Sequence, residues 1–178
     1  MKLTRRAESE YRLQDYAAPE RIDGVGLHEL RRFHDDGGAL TELLRLGDGV
    51  APGLDGFRPA QINYACLQPG AIKAFHLHRR QTDVWFVPPE DRVLAVLVDM
   101  RDGSPTEGRR LRLVLGDGES ALLRIPPGVA HGCKNLGAFP ARLLYFTDLH
   151  FSPERGACDE GRLPWDLAGQ EIWDVSIG

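Results

Sequence analysis

GAIKAFHLHRRQTD, residues 70–83, places His76 and His78 two positions apart, just before the hydrophobic run DVWFV. Side chains at i and i+2 on a strand point to the same face, so the pair looks into one interior together. A third histidine, His131, follows the Pro-Pro-Gly of IPPGVAHGCKN (residues 125–135), a turn that aims it toward the same place. Strand-like runs surround these histidines in close order: AQINYACL, IKAFHLH, DVWFV, RVLAVLVDM, RLRLVL, SALLRI and ARLLYFTDL. Short runs of this kind, separated by Pro and Gly turns, indicate an all-β barrel or sandwich rather than βαβ units. RVLAVLVDM is apolar almost throughout and is expected to be buried on both faces.

Outward from this centre, the chain divides into an N-terminal arm at residues 1–23 and one domain at residues 24–178. With 178 residues and 42% hydrophobic composition, it is long enough for one real core and too short for two. The arm is charged, with weak helical spacing at Tyr11, Leu13 and Tyr16, and is expected to form a short helix or to pack on a partner subunit. VGLHELRRF, the DDGG turn at Asp35–Gly38 and ALTELLRL read as strands and a hairpin. LGDGVAPGLDGF, from Leu46 to Phe57, is the longest expected loop. The tail from Phe151 is irregular or helical and is expected to cover one end of the barrel.

A net charge of -4 argues against nucleic acid or an anionic membrane surface as partner and leaves small molecules. The three cysteines, Cys66, Cys133 and Cys158, have neither CxxC spacing nor an even count, which fits a reducing, cytoplasmic setting. No window approaches the roughly 20 apolar residues of a membrane span, and no signal peptide is evident. His28, His34 and His150 lie outside the histidine-bearing stretches and are read as surface residues; Trp85, Trp165 and Trp173 are read as packing.

Two motifs carry a resemblance to the cupin superfamily. Gly70, His76, His78 and Asp83 follow its G-x5-H-x-H…E pattern with aspartate at the last position, and Pro126, Gly128, His131 and Asn135 meet P-x-G-x2-H-x3-N. The resemblance implies a double-stranded β-helix, or jelly roll. A narrower one, over about residues 24–166, is to the dTDP-4-dehydrorhamnose 3,5-epimerase family. Gln61 and Asn63 look like its Q-x-N, and Gly70–His76 looks like its G-V-x-R-G-L-H, with Lys73 at the arginine. VLVDMRDGSPTEG (residues 96–108) is similar to V-A-V-D-x-R-x-x-S-P-T-x-G, Glu42 falls in a likeness of D-x-R-G-x-x-x-E, and LLYFTD supplies Tyr145.

This resemblance implies a cofactor-free epimerase or isomerase that takes a proton from carbon next to the keto group of a nucleoside-diphosphate sugar. His76 is then the base, Tyr145 the acid on the opposite face, His131 a neighbour in the catalytic set, and Glu42, Gln61, Asn63 and Lys73 substrate contacts. A homodimer in which the arm joins the partner's sheet is also implied. The chain departs from the family at three positions. Asp83 stands where a lysine belongs, Gly37 replaces an arginine that grips the diphosphate, and the C-terminal S-x-K-D, whose aspartate orients the histidine, has no counterpart before Gly178. The alternative is a metal cupin, in which His76, His78, Asp83 and His131 hold one Zn, Fe, Ni or Mn ion; a binding protein that has lost catalysis is a third reading. A ring nitrogen occupied by a cation cannot serve as base, so the two uses of His76 exclude each other, and the epimerase reading expects no metal.

Overall fold

The computed structural model describes residues 1–13, 20–46, 54, 56–154 and 156–175. A helix α1 (Arg5–Glu10) precedes β1 (Gly26–Glu29), β2 (Arg32–Asp35), β3 (Gly38–Thr41), β4 (Gln61–Leu67), β5 (Ile72–Leu77) and β6 (Asp83–Phe86). There follow β7 (Arg92–Asp99), β8 (Arg110–Gly116), β9 (Ala121–Ile125), β10 (Val129–Asn135), β11 (Ala141–Thr147), β12 (Gly161–Arg162) and a 3-10 turn at Gln170–Trp173. Two five-stranded antiparallel sheets face each other, ordered β1-β9-β6-β11-β4 and β12-β5-β10-β7-β8, with β2-β3 as a separate hairpin. This is the expected jelly roll. Among the described residues no helix is long and apolar enough to cross a membrane.

All seven strand-like runs form strands, and the stretch after the Pro-Pro-Gly turn forms an eighth, β10. Sequence patterning did not mark it because β10 lies between β5 and β7 and is buried on both faces, so VAHGCKN carries no polar alternation. β7 behaves as expected. Val93, Ala95 and Leu97 point into the core between the sheets with Trp85, Leu123 and Leu143, while Leu94, Val96 and Val98 point outward.

What covers that outer face is the C-terminal tail, which corrects the expectation that the tail caps a barrel end. Ala168, Ile172 and Trp173 pack on Phe75, Leu94, Val96 and Val98. The Trp173 ring lies 5.4 Å from Phe75, its Nε1–H donates to Trp165 O at 3.0 Å, and its carbonyl accepts from Lys134 Nζ at 2.7 Å. A fully buried tryptophan of this kind is worth about 3–5 kcal/mol relative to alanine. That anchor fixes the course of the tail, and the tail passes the histidines on its way.

At the other terminus the core reaches back to Ile22, inside the stretch read as the arm. Helix α1 is capped by Thr4 Oγ1, which accepts from Ala7 N–H at 3.3 Å, and none of its residues is buried. Tyr16 lies outside the described residues. So does most of the long Leu46–Phe57 loop, of which Leu54 and Phe57 are described and pack on Val84, Phe86, Leu122 and Phe146.

Candidate active site

Two turns of the same chemistry launch the histidine-bearing strands. In Gln68–Ala71 and Pro126–Val129, proline occupies the second position and glycine the third, with φ of 71° at Gly70 and 79° at Gly128. This is the type II signature, which needs a positive φ at its third residue. Each turn is closed by a hydrogen bond, Ala71 N–H to Gln68 O at 3.0 Å and Val129 N–H to Pro126 O at 3.4 Å. Gly128 N–H also donates to His78 O at 2.8 Å, which ties the second turn to the chain leaving β5. β5 and β10 then run antiparallel with His131 directly opposite His76, their rings 6.0 Å apart.

The VDMRDGSPTEG motif supports this geometry and takes no part in the site. Asp99 is buried and accepts from Arg101 Nε and Nη2 at 2.8 Å each, and from Ser104 Oγ and Thr106 Oγ1 at 2.6 Å each. The Arg101 guanidinium, with the two hydroxyls, holds the Asp99 carboxyl far below the usual carboxylate range against the opposing effect of burial. Arg101 in turn donates to Asp23 O at 2.7 Å, so the motif pins the end of β7 to the chain entering the domain.

A cavity of about 720 Å³ opens between the sheets, within the usual size of small-molecule sites. Strand alternation decides its lining: Gln61, Asn63 and Ala65 from β4, Asp83 and Trp85 from β6, and Leu143, Tyr145 and Thr147 from β11 on one wall; Ile72, Ala74 and His76 from β5 and His131 and Cys133 from β10 on the other. His76 and Tyr145 therefore stand on opposing walls. Lys73 also lines the cavity, and Gln61 Nε2–H donates to Asn63 Oδ1 at 2.9 Å. Glu42 does not join it. Glu42 follows the β2-β3 hairpin, which forms a sheet of its own, and is exposed and paired with Arg45 at 2.7 Å. His150 is exposed, as expected, yet it belongs to the cavity lining.

The carboxylate partner that the sequence lacked comes from the tail. β12 pairs with β5 so that Arg162 faces His76, and Glu160, two residues earlier, accepts from His76 Nδ1–H at 2.6 Å. His76 Nε2 accepts from Arg162 Nη1 at 2.8 Å. The two contacts fix the tautomer: the proton sits on Nδ1, against the carboxylate, and the Nε2 lone pair is the basic atom. The His76 hydrogen bond, opposed by partial burial, holds the Glu160 carboxyl below its ordinary value. Tyr145 is shifted the other way, because burial first, then Glu160 and Asp83, raise its phenol, which keeps its proton at neutral pH.

Deeper in the cavity lies a second cluster. Asp83 is 4% exposed, so it is no solvated strand-edge carboxylate; it accepts from Gln81 Nε2–H at 2.7 Å and Trp85 Nε1–H at 3.2 Å. His78 Nδ1–H donates to Asp159 O at 2.7 Å, and His131 Nδ1–H donates to Val129 O at 3.0 Å. Burial, the largest effect, pushes His131 down to about 4, so it is neutral at physiological pH. With its proton committed to Val129, it offers only a lone pair at Nε2 and has no proton to give an enolate. Asp159 also anchors the loop after His78, accepting from the amides of Arg79, Arg80 and Gln81 at 3.1, 2.9 and 2.9 Å. Although burial works against it, these amides, Arg80 and Gln81 foremost, keep the Asp159 carboxyl below the usual range.

His78, Asp83 and His131 bring three ligand-type atoms within 4.8 Å of one another, and His76 is not one of them. The four-ligand set of the metal-cupin alternative is thereby reduced to three, because His76 is turned to Glu160 and Arg162. Asp159, Glu160 and Arg162 were not found from the sequence; the only signal was the charged DEGR just ahead of the Pro-Trp pair.

Residues 19–167 match the family model described as dTDP-4-dehydrorhamnose 3,5-epimerase. Among curated proteins, the spore coat polysaccharide biosynthesis protein SpsL of Bacillus subtilis is 39% identical, over 82% of this chain and 91% of its own. The crystal structure of a dTDP sugar isomerase from Desulfovibrio desulfuricans superposes with a TM-score of 0.70 at 32% identity, covering 83% of this chain and 88% of that one. That of the dTDP-6-deoxy-D-glucose-3,5-epimerase RmlC from Legionella pneumophila, in complex with dTDP-4-keto-L-rhamnose, does so with a TM-score of 0.65 at 26% identity, covering 76% and 72%.

Proposed function

Because this chain belongs to the dTDP-4-dehydrorhamnose 3,5-epimerase family, an isomerase family acting on nucleotide-linked keto sugars, we propose that it epimerises a nucleoside-diphosphate 4-keto sugar with His76 as base and Tyr145 as acid. The observation that carries the reading is the His76–Glu160 contact at 2.6 Å, with the base nitrogen on one wall and the protonated Tyr145 phenol on the other. A keto group acidifies the C–H bonds beside it. His76 Nε2 removes one such proton while the Glu160 carboxylate stabilises the imidazolium that forms. Tyr145 delivers a proton from the opposite side, and a proton taken from one face and returned to the other inverts the carbon. Arg162 leaves the base to admit the sugar; its side chain is 62% exposed and has room to swing. The developing oxyanion then has Lys73 and Arg162 as cationic neighbours, and Gln61 and Asn63 contribute hydrogen bonds to the ligand. The complex of the Legionella relative with dTDP-4-keto-L-rhamnose supports this ligand class.

The test is hydrogen exchange in deuterated water with a panel of nucleoside-diphosphate 4-keto sugars, followed by NMR. The wild type is expected to wash deuterium into at least one position beside the ketone. In Tyr145→Phe the exchange persists while inverted product falls by about a hundredfold or more, since each general acid or base contributes roughly 10²–10⁴. A wild type that exchanges nothing across the panel overturns the reading.

The expected homodimer belongs to the same proposal. β4 is an edge strand whose Ile62 and Tyr64 are 54% and 64% exposed, and an unpaired apolar edge calls for a cover. Residues 1–13 of a second copy, none of them buried here, supply one; sedimentation is expected to give twice the monomer mass, and a deletion of residues 1–13 to give the monomer.

A further inference from the structure

The buried cluster beside His76 has an electrostatic peculiarity that the epimerase chemistry does not use. His78 and His131 both commit Nδ1–H to backbone carbonyls, so both turn bare Nε2 lone pairs toward the same carboxylate. His78 Nε2 lies 3.8 Å from Asp83 Oδ1 and His131 Nε2 lies 3.6 Å from Asp83 Oδ2. The three side chains are 4%, 4% and 2% exposed. The donors in their midst are neutral: the Gln81 amide, 2.7 Å from Asp83 Oδ1 and 3.4 Å from His78 Nε2, and the Trp85 indole N–H, 3.2 Å from Asp83 Oδ2. Convergent buried acceptors repel one another unless something positive lies between them. Backbone carbonyls that hold each imidazole by its other nitrogen are the usual outer support of a metal-ligating histidine.

We propose that His78, Asp83 and His131 form a binding site for one divalent first-row transition ion. Two imidazoles and a carboxylate are borderline donors that suit Zn, Fe, Ni or Mn, and three protein ligands suffice for an ion that also meets solvent or substrate. The expectation of a metal-free protein rested on His76 being one of the ligands. With His76 held by Glu160 and Arg162 outside the set, a bound cation and a free base coexist as neighbours. When bound, the ion supplies positive charge at the place where the family's lysine gives way to Asp83. The site goes beyond the sugar reading and stands or falls separately from it.

The probe is Co(II), and Cu(II) for spectroscopy, added to chelator-stripped full-length protein. Equilibrium dialysis with elemental analysis is expected to give about one cobalt per chain, and pulsed EPR of the copper form to show two coordinated imidazoles. His76→Asn is expected to keep both results, whereas the near-isosteric Asp83→Asn weakens cobalt binding by at least ~10-fold and His78→Gln leaves one imidazole in the spectrum. Circular dichroism establishes that each variant is folded, and the wild-type spectrum stands without any variant. Less than about a tenth of an equivalent of cobalt on the wild type, unchanged binding in folded Asp83→Asn, or loss of an imidazole signal in His76→Asn would each overturn the proposal.

Discussion

Replacing His76 with asparagine is expected to remove the exchange of substrate hydrogen with deuterated water, with a rate loss of about 10³-fold or more. The magnitude follows from what the ring does in its place. General-base catalysis by a positioned side chain contributes roughly 10²–10⁴, and here the base is also the group that initiates every later step. Asparagine is close in size to the part of the ring that meets Glu160, and its amide N–H is able to donate to that carboxylate. It has no nitrogen lone pair that takes a proton near neutral pH. The His76 side chain is 24% exposed and lines a cavity, so the substitution leaves no sealed void and the melting temperature is expected to stay within a few degrees of wild type. Mass spectrometry of recovered substrate reads the exchange directly. Exchange at the wild-type rate would remove His76 from the role of base, whatever the product distribution.

How much of this was legible in the sequence depended on whether the signal was local. The two-residue spacing of His76 and His78 carried real structural information, since strand periodicity is a local rule, and the Pro-Gly turns specified their own geometry through the glycine at the third position. Tyr145 and Asn63 needed the resemblance for their role, but their alternation on β11 and β4 was enough to place them on one face. Glu160 was beyond reach for a physical reason. It lies 84 residues from His76, and the two meet because β12 pairs with β5 while Trp173 and Ile172 pin the tail across the outer face of β7, long-range events with no local spacing. The tail showed neither period 2 nor period 3.6, so its destination was not encoded in any pattern readable by eye. Glu42 failed in the opposite way, since likeness to a short motif assigned it to the ligand while the hairpin before it folds apart from both main sheets. The clearest motif in the chain, from Val96 to Gly108, has a structural explanation. It is a hydrogen-bonded hub around Asp99 that sets the chain geometry beneath the Pro-Pro-Gly turn.

Glu160→Gln separates positioning from mere packing. The substitution preserves the shape of the side chain and one acceptor oxygen, but it exchanges a group that only accepts for one that also donates. An amide N–H facing His76 Nδ1 stabilises the tautomer with its proton on Nε2, which is the atom that must be bare, and the charge that steadies the imidazolium is gone. A loss of about 10³-fold in kcat is expected, with KM within a few-fold of wild type, and Glu160→Asp is expected to recover part of it because the charge returns at a longer reach. The contribution to folding has a definite sign. Because the His76 hydrogen bond lowers the Glu160 carboxyl in the folded protein, the carboxylate stabilises the fold at pH values above its unfolded value of about 4.3. That contribution disappears as the pH falls through the lower folded value. The stability gap between wild type and Glu160→Gln is therefore expected to be full near neutral pH and to close on acidification, in denaturant titrations repeated at several pH values. A purely structural glutamate would give a KM effect matching its kcat effect, and neutral glutamine would then serve nearly as well as aspartate. A kcat restored more by glutamine than by aspartate would assign Glu160 to packing and leave His76 without an orienting carboxylate.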